Sequence, residues 1–175
     1  MARTMLTKIS DVADLVKRGR SDPESVFGDL KRLAASDEWQ TREVAATVLV
    51  RIAEKHPDAV IKNALRWAKD RDPNVRRAAS EGLRGVVKSD PEGVGKVMTL
   101  LREDSDLYVK KSVANVLRNA SVKQKDFVLK LCGAWVRSSN PHTRWIVKDG
   151  LRKLKATGSS EVEKILRLCE STGTQ

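Results

Sequence analysis

The chain has 175 residues, and its 34 Lys and Arg against 23 Asp and Glu give a formal net charge of +11 at pH 7. This length suits one domain over residues 1–175, and the charge favours nucleic acid or another anionic surface as the partner. No apolar run is long enough to span a membrane, which predicts a protein without membrane contact. Cys132 and Cys169 lie outside any cluster of zinc ligands, so no metal or other cofactor is expected. Two thiols without a disulfide pattern suit a reducing compartment and predict a cytoplasmic protein.

In chain order, the first predicted element is a flanking helix at residues 2–18, and four helical pairs with a period of 34 residues follow it over about residues 22–157. The first helix of each pair, helix A, opens after a short polar stretch, and Pro suits its first turn because that N–H has no intrahelical partner. Residues 160–170 form the last flanking helix. The recurring helix-A positions are Pro23, Pro57 and Pro91; Val26, Val60, Val94 and Val128; and Leu33, Trp67, Leu101 and Trp135.

The second helix of each pair, helix B, begins at Trp39, Pro73, Leu107 or Pro141. One pair cannot bury its apolar face alone, so the pairs must stack in a row. The spacing and the pattern resemble HEAT repeats and predict an all-α, right-handed HEAT-like solenoid, capped at both ends and monomeric. The leucines that coincide in helix B are Leu49, Leu83, Leu117 and Leu151.

Helix B also carries polar positions that the apolar core cannot use, and in such a solenoid the B helices line the concave groove. One line is Glu43, Arg77, Lys111 and Trp145, and one turn later comes the line Thr47, Glu81, Asn115 and Asp149. Basic side chains interspersed with a few carboxylates and indoles suit a surface that binds phosphate groups and contains a small catalytic site. The predicted cations on or beside the groove are Arg76, Arg77, Lys110, Lys111, Arg144, Lys148 and Arg152.

A purely structural interpretation of these side chains stays open at this point. Glu81 is placed to form an ordinary ion pair with Arg77 at i, i+4, or with a lysine of a neighbouring repeat. Trp39 is placed to pack on the first turn of its own helix.

The segments WAKDRDPNVRRAASEGLR, YVKKSVANVLRNA and TRWIVKDGLRKL resemble the HEAT-like DNA alkylation repair proteins, the AlkD and AlkC type alkylpurine DNA glycosylases. The similarity runs from about Asp37 to Leu154. The resemblance implies a protein that binds alkylated duplex DNA in its concave face and releases cationic N3- or N7-alkylated bases.

The same resemblance implies roles for single residues. The AlkD branch has a Trp followed four residues later by an acid, which corresponds to Trp39 and Glu43, with Glu replacing Asp. The family's DNA-contacting arginine falls on Arg77, and a glutamate of the AlkC branch falls on Glu81. A second aromatic of the AlkD branch is replaced by Asn115, as in the AlkC branch, and Trp145 is predicted to supply an aromatic instead.

These residue types suit the release of a cationic base, which needs no acid because the base is already a good leaving group. A fixed carboxylate, Glu43 or Glu81, would stabilise the charge that develops on the deoxyribose. Trp39 and Trp145 would stack on the lesion, and the lysines and arginines, with Asn115, would hold the DNA. The alternatives are a non-catalytic HEAT module that binds nucleic acid and a scaffold for an acidic protein partner.

Overall fold

The computed structural model describes residues 9–171, and in this range the chain is helical with short turns and no strand, as predicted. Residues 2–8 of the first predicted flanking helix lie outside the described range. None of the described helices is long and apolar enough to span a bilayer. The helices are α1 (Ile9–Ser21), α2 (Glu24–Ala34), α3 (Trp39–Ala53), α4 (Pro57–Trp67), α5 (Pro73–Gly82), α6 (Pro91–Leu101), α7 (Leu107–Ala120), α8 (Lys125–Trp135), α9 (Pro141–Gly150), α10 (Arg152–Lys155) and α11 (Ser160–Ser171), with a 3-10 turn at Leu83–Gly85 after α5.

The polar turns act as helix starts, because their side chains satisfy the free N–H groups of the first turn. The carboxylate of Asp72 accepts a hydrogen bond from the N–H of Asn74. Asp106 accepts hydrogen bonds from the N–H groups of Tyr108 and Val109. Asp90 and Asn140 cap α6 and α9 in the same way. Capping residues and N-terminal prolines therefore fix where most of these helices begin.

The two predicted flanking helices are halves of further repeats. Leu15 of α1 lies 34 residues before Leu49, is buried like it, and places α1 directly against α3 as a helix B. At the other end, Val162 and Cys169 of α11 continue the buried positions of Val128 and Trp135, as a helix A does. The prediction of capping helices is thus refined, since both ends repeat the register of the stack.

The curvature of the solenoid follows from how closely the two kinds of helix approach each other. Consecutive B helices (α1, α3, α5, α7 and α9) pack against one another extensively, whereas consecutive A helices make fewer contacts. An open cleft lined by Gly95, Phe127 and Leu131 separates α6 from α8 on the A side. The B helices therefore form the inner side of the curve, which presents the two polar lines predicted from the sequence.

Small residues allow the close packing of the B helices. A Cβ atom added at Gly150 of α9 would lie 2.6 Å from Cδ1 of Leu117 in α7. Ser80 of α5 and Ser112 of α7 are both buried and share a hydrogen bond across the helix pair. A larger side chain at these positions would push the helices apart.

An arginine clamp fixes the turn inside several repeats. Arg76 donates from Nη1 to the carbonyl oxygens of Asp70 and Arg71, at 2.9 and 3.0 Å, and from Nε to the carboxylate of Asp104, at 2.6 Å. Arg42 and Arg144 stand one period before and two periods after Arg76, and they bind the carbonyls of their own turns. The arginine at this position of the repeat therefore holds the turn between helix A and helix B.

Replacing Arg76 with Ala is expected to lower the free energy of unfolding by about 2–4 kcal/mol, because it leaves a buried carboxylate without its partner. The carboxylate is that of Asp104, whose side chain is 8% exposed. Urea denaturation measures the effect, and Arg71→Ala, an exposed arginine of the same turn, is the control for loss of charge. Equal stability of the two variants would contradict the clamp.

Candidate nucleic-acid interface

Two carboxylates and one guanidinium form a cluster on the inner side between α3 and α5. Arg77 donates from Nη2 to Oε1 of Glu43, 34 residues earlier, at 2.9 Å. It donates from Nε to Oε1 of Glu81, one turn later in α5, at 2.8 Å. The repeat period and the i, i+4 spacing thus bring both carboxylates onto a single cation. We call this group the Glu43–Arg77–Glu81 cluster.

The two carboxylates of the cluster differ in their environment. The side chain of Glu81 is 16% exposed, and burial raises its pKa, as does the neighbouring Glu43, whereas Arg77 lowers it. The side chain of Glu43 is 46% exposed and opens towards solvent. Arg77 binds both carboxylates, so the cluster itself carries one more negative than positive charge, and Arg84 is a further cation that lowers the pKa of Glu81. Such a localised anionic spot suits stabilisation of a developing positive charge.

Trp39 is the first residue of α3 and lies one turn before Glu43. Its side chain is 62% exposed, whereas Trp67 and Trp135 are buried in the core. Most of this indole is therefore accessible to a ligand. Trp39 thus presents an exposed aromatic side chain one helical turn from Glu43, and its role remains a prediction.

A related ion pair lies two repeats further along the inner side. Asp149 stands at the register position of Glu81, and its carboxylate is bound by Arg118, which also donates to Oδ1 of Asn115 at 3.3 Å. Arg152 approaches the same carboxylate at 3.7 Å. Here a single carboxylate has two cations, so the excess negative charge of the first cluster is absent.

Trp39 and Trp145, both predicted to stack on a lesion, are not brought together. Trp145 belongs to α9, and α5 and α7 lie between α9 and α3, the helix of Trp39. At about 8–10 Å between neighbouring helix axes, three steps separate the two indoles by roughly 25–30 Å. Trp145 instead contacts Lys110, whose Nζ lies 5.7 Å from the centroid of its ring. Only Trp39 stands near the Glu43–Arg77–Glu81 cluster.

The predicted cations separate into different environments. Arg76 and Arg144 are held by the clamp at their turns, and Arg77 is held by the two glutamates. Lys111 and Arg152 are exposed on the inner side. Asn115 and Lys110 are half-buried, the latter with Nζ 3.2 Å from Nδ1 of His142. The inner surface available to a ligand is therefore smaller than the set predicted from the sequence.

Lys148 lies on α9, the last helix B among the described residues. Its equivalents one, two and three periods earlier are Ala114, Ser80 and Ala46, and all three are buried where consecutive B helices meet. Lys148 is exposed because no further helix B follows α9 in the described residues. It therefore faces the end of the solenoid rather than the inner side.

Sequence reasoning did not propose three residues of the inner surface as ligand contacts. Arg84 and Arg118 belong with Arg152 to one line with a period of 34 residues, and that recurrence was the signal that could have found them. Tyr108 is 60% exposed at the start of α7, and its polar equivalents one period away, Asn74 and His142, were the signal for an exposed position. Among residues 9–171, no three Asp, Glu, His or Cys side chains come together as a group that could hold a metal ion.

Comparison with known families identifies the repeat. The model of the family described as HEAT repeats matches residues 29–118, which is 90 of the 175 residues. The chain is a HEAT-repeat protein. No curated protein sequence gives a significant match.

Among solved structures, this HEAT-repeat protein resembles the alkylpurine DNA glycosylase AlkC of Pseudomonas fluorescens, bound to DNA with an abasic site analog. The sequence identity is 28%, the TM-score is 0.73, and the match covers 89% of this chain. It covers 44% of the AlkC chain, so the protein spans less than half the length of that relative. The predicted resemblance to the HEAT-like alkylation repair proteins is confirmed.

Two solved structures from Streptococcus mutans share the fold. AlkD2 and the protein smu.31 are each 22% identical to the chain over 91% of its length, with TM-scores of 0.56. The match covers 70% of AlkD2 and 72% of smu.31. At this identity the likeness concerns the arrangement of helices alone.

Proposed function

We propose that this HEAT-repeat protein functions in DNA alkylation repair, by holding duplex DNA against the inner side of its B helices and releasing cationic alkylated bases. The observation that carries the proposal is the Glu43–Arg77–Glu81 cluster with the exposed Trp39 one turn away. The likeness to AlkC, an alkylpurine DNA glycosylase bound to DNA, supports the same reaction class.

The proposed reaction is hydrolysis of the bond between C1′ of the deoxyribose and the alkylated base. The bonding electron pair leaves with the base, which becomes neutral, and positive charge grows on C1′ and the ring oxygen. Water then bonds to C1′ and loses a proton, which leaves an abasic site. Because the base leaves without protonation, the protein has to stabilise charge on the sugar rather than supply an acid.

Glu43 is the carboxylate that we assign to this role. It is the more exposed of the two, so a sugar held on the inner surface can approach it directly. Arg77 fixes its orientation, and the more buried Glu81 holds Arg77 from the other side. Trp39 would place its ring against the cationic base, an attraction of about 0.5–2 kcal/mol.

The test is release of methylated bases from alkylated duplex DNA by the purified protein, measured together with duplex affinity. Base release above the spontaneous rate supports the proposal. Salt-sensitive duplex binding without base release would reduce it to a non-catalytic nucleic-acid-binding module. Absence of duplex binding would overturn it in favour of a scaffold for an acidic protein.

The salt dependence of duplex binding tests whether Arg152 contacts a phosphate group. Replacing Arg152 with Gln is expected to reduce the slope of log affinity for duplex DNA against log salt by about 0.9, because one phosphate contact is lost. The matched control is Arg32→Gln on α2, since Arg32 is also exposed and also pairs with an aspartate three residues earlier. Equal slopes for the two variants would exclude Arg152 from the interface.

A further inference from the structure

A second aromatic surface lies on α7 and α9, away from the Glu43–Arg77–Glu81 cluster. Tyr108 and Trp145 are exposed by 60% and 37%. Nζ of Lys111 lies 5.7 Å from the centroid of the Tyr108 ring, and Nζ of Lys110 lies 5.7 Å from that of Trp145. We call these four residues, with His142 beside Lys110, the α7–α9 aromatic patch.

The charge of this patch is not neutralised locally. Within residues 9–171, neither Lys110 nor Lys111 forms an ion pair, although most of the other inner-side cations do. The nearest acidic side chain along the chain, Asp106, accepts hydrogen bonds from the first N–H groups of α7. Each ring thus has an ammonium group without an ion pair over one face, and the rest of the ring is accessible in proportion to its exposure. This combination attracts a ligand with both flat rings and negative charge.

We propose that the α7–α9 aromatic patch binds unpaired nucleotides of DNA, with bases stacked on Tyr108 and Trp145 and phosphates against Lys110 and Lys111. Base–aromatic stacking beside a basic groove is the usual way in which proteins hold single strands. An intact duplex reaches the two lysines with its phosphates but does not stack on the rings, because its bases are stacked on each other. The patch therefore selects for a strand that has lost its pairing.

This site is separate from the one where the base would be released. The cluster lies on α3 and α5 and the patch on α7 and α9, two steps along the row of B helices. Two steps amount to about 16–20 Å, several nucleotides along a strand. The inference rests on the proposed function only in that nucleic acid occupies the inner side, and it removes Trp145 from the lesion site.

The intrinsic fluorescence of tryptophan tests the patch, because stacking on a base quenches an indole. Of the four tryptophans, Trp67 and Trp135 are buried, which leaves Trp39 and Trp145 accessible. A thymidine oligonucleotide is expected to quench wild type and Trp39→Phe alike, whereas Trp145→Phe loses most of the quenching. Quenching that follows Trp39 instead would overturn the proposal.

Affinity for the same oligonucleotide gives the second measurement. Tyr108→Ala is expected to weaken binding by about 5- to 150-fold, the effect of one lost stacking contact. Leu107→Ala is the matched control, since Leu107 is exposed beside Tyr108 but has no aromatic face. Equal loss in both variants would show apolar contact without stacking, and full competition by polyglutamate would show a general site for acidic chains; either result overturns the proposal.

These outcomes are distinguishable from failure of the proposed function. Oligonucleotide binding that depends on Tyr108 and Trp145, without base release from methylated duplex, would preserve the patch and remove the glycosylase activity. Base release with no effect of Tyr108→Ala on oligonucleotide binding would preserve the glycosylase activity and overturn the patch.

Discussion

Replacing Glu43 with Gln is expected to slow base release from methylated duplex DNA by about 10²–10³-fold, with duplex affinity changed by less than about threefold. Glutamine keeps the shape of the side chain and one oxygen to accept the hydrogen bond from Arg77, so the substitution removes mainly the charge. That charge is required only while the sugar becomes cationic, which confines the loss to the chemical step. Single-turnover release and equilibrium binding separate the two quantities.

Glu54→Gln is a matched control for this effect. Glu54 follows directly on α3, the helix of Glu43, and its side chain is 45% exposed against 46% for Glu43. It pairs with Arg20 and Arg51, away from the inner-side cluster. A similar fall in both variants would reflect the overall charge or the stability of α3. An effect in neither would remove Glu43 from the mechanism and leave Glu81 to be tested in the same way.

The repeat could be predicted because a period of 34 residues leaves a direct trace in the sequence. One buried leucine of helix B recurs in every period, and so does one buried valine of helix A. Leu15 and Val162 belong to the same two series, yet the flanking helices were interpreted only as caps. The reason is that a repeat is recognised in sequence by a helix A followed by a helix B, and only one of the two is found at each end.

Within the polar lines the sequence predicted the ion pair of Arg77 with Glu81 at i, i+4, but not the second carboxylate, Glu43, that Arg77 also binds. Arg76 and Arg77 are neighbours in sequence and equally basic, yet one clamps a turn and the other binds two carboxylates. One residue along a helix is a rotation of about 100°, which separates the two environments. Composition and spacing define which face a residue occupies but not which of two partners its guanidinium reaches.

The position of Lys148 shows a different limit. Its register marks it as a stacking position, because Ala46, Ser80 and Ala114 are small or buried there. A long cation at that position is tolerated only at the end of a row of B helices. A lysine where the other repeats have a small buried residue therefore indicated the last helix B of the row. Its charge led instead to the prediction of a DNA contact.

Replacing Arg77 with Met is expected to lower the free energy of unfolding by about 2–3 kcal/mol at neutral pH, because two carboxylates then face each other without their shared cation. The deficit is expected to shrink as the pH falls into the acidic range. Arg77 lowers the pKa of Glu81, so its loss raises that pKa further above the value in the unfolded chain. Stability from a carboxyl group with a raised pKa is present at low pH and is lost as pH rises through that pKa.

Arg118→Met is the matched control for this pH dependence, because Arg118 holds the single carboxylate of Asp149, which keeps Arg152 nearby. Urea denaturation of both variants at neutral and acidic pH makes the comparison. A recovery at low pH that is confined to Arg77→Met would show that Glu43 and Glu81 repel each other across the cluster. An equal recovery in both variants would mean that the two carboxylates do not interact, and the excess negative charge proposed to stabilise the sugar would then be absent.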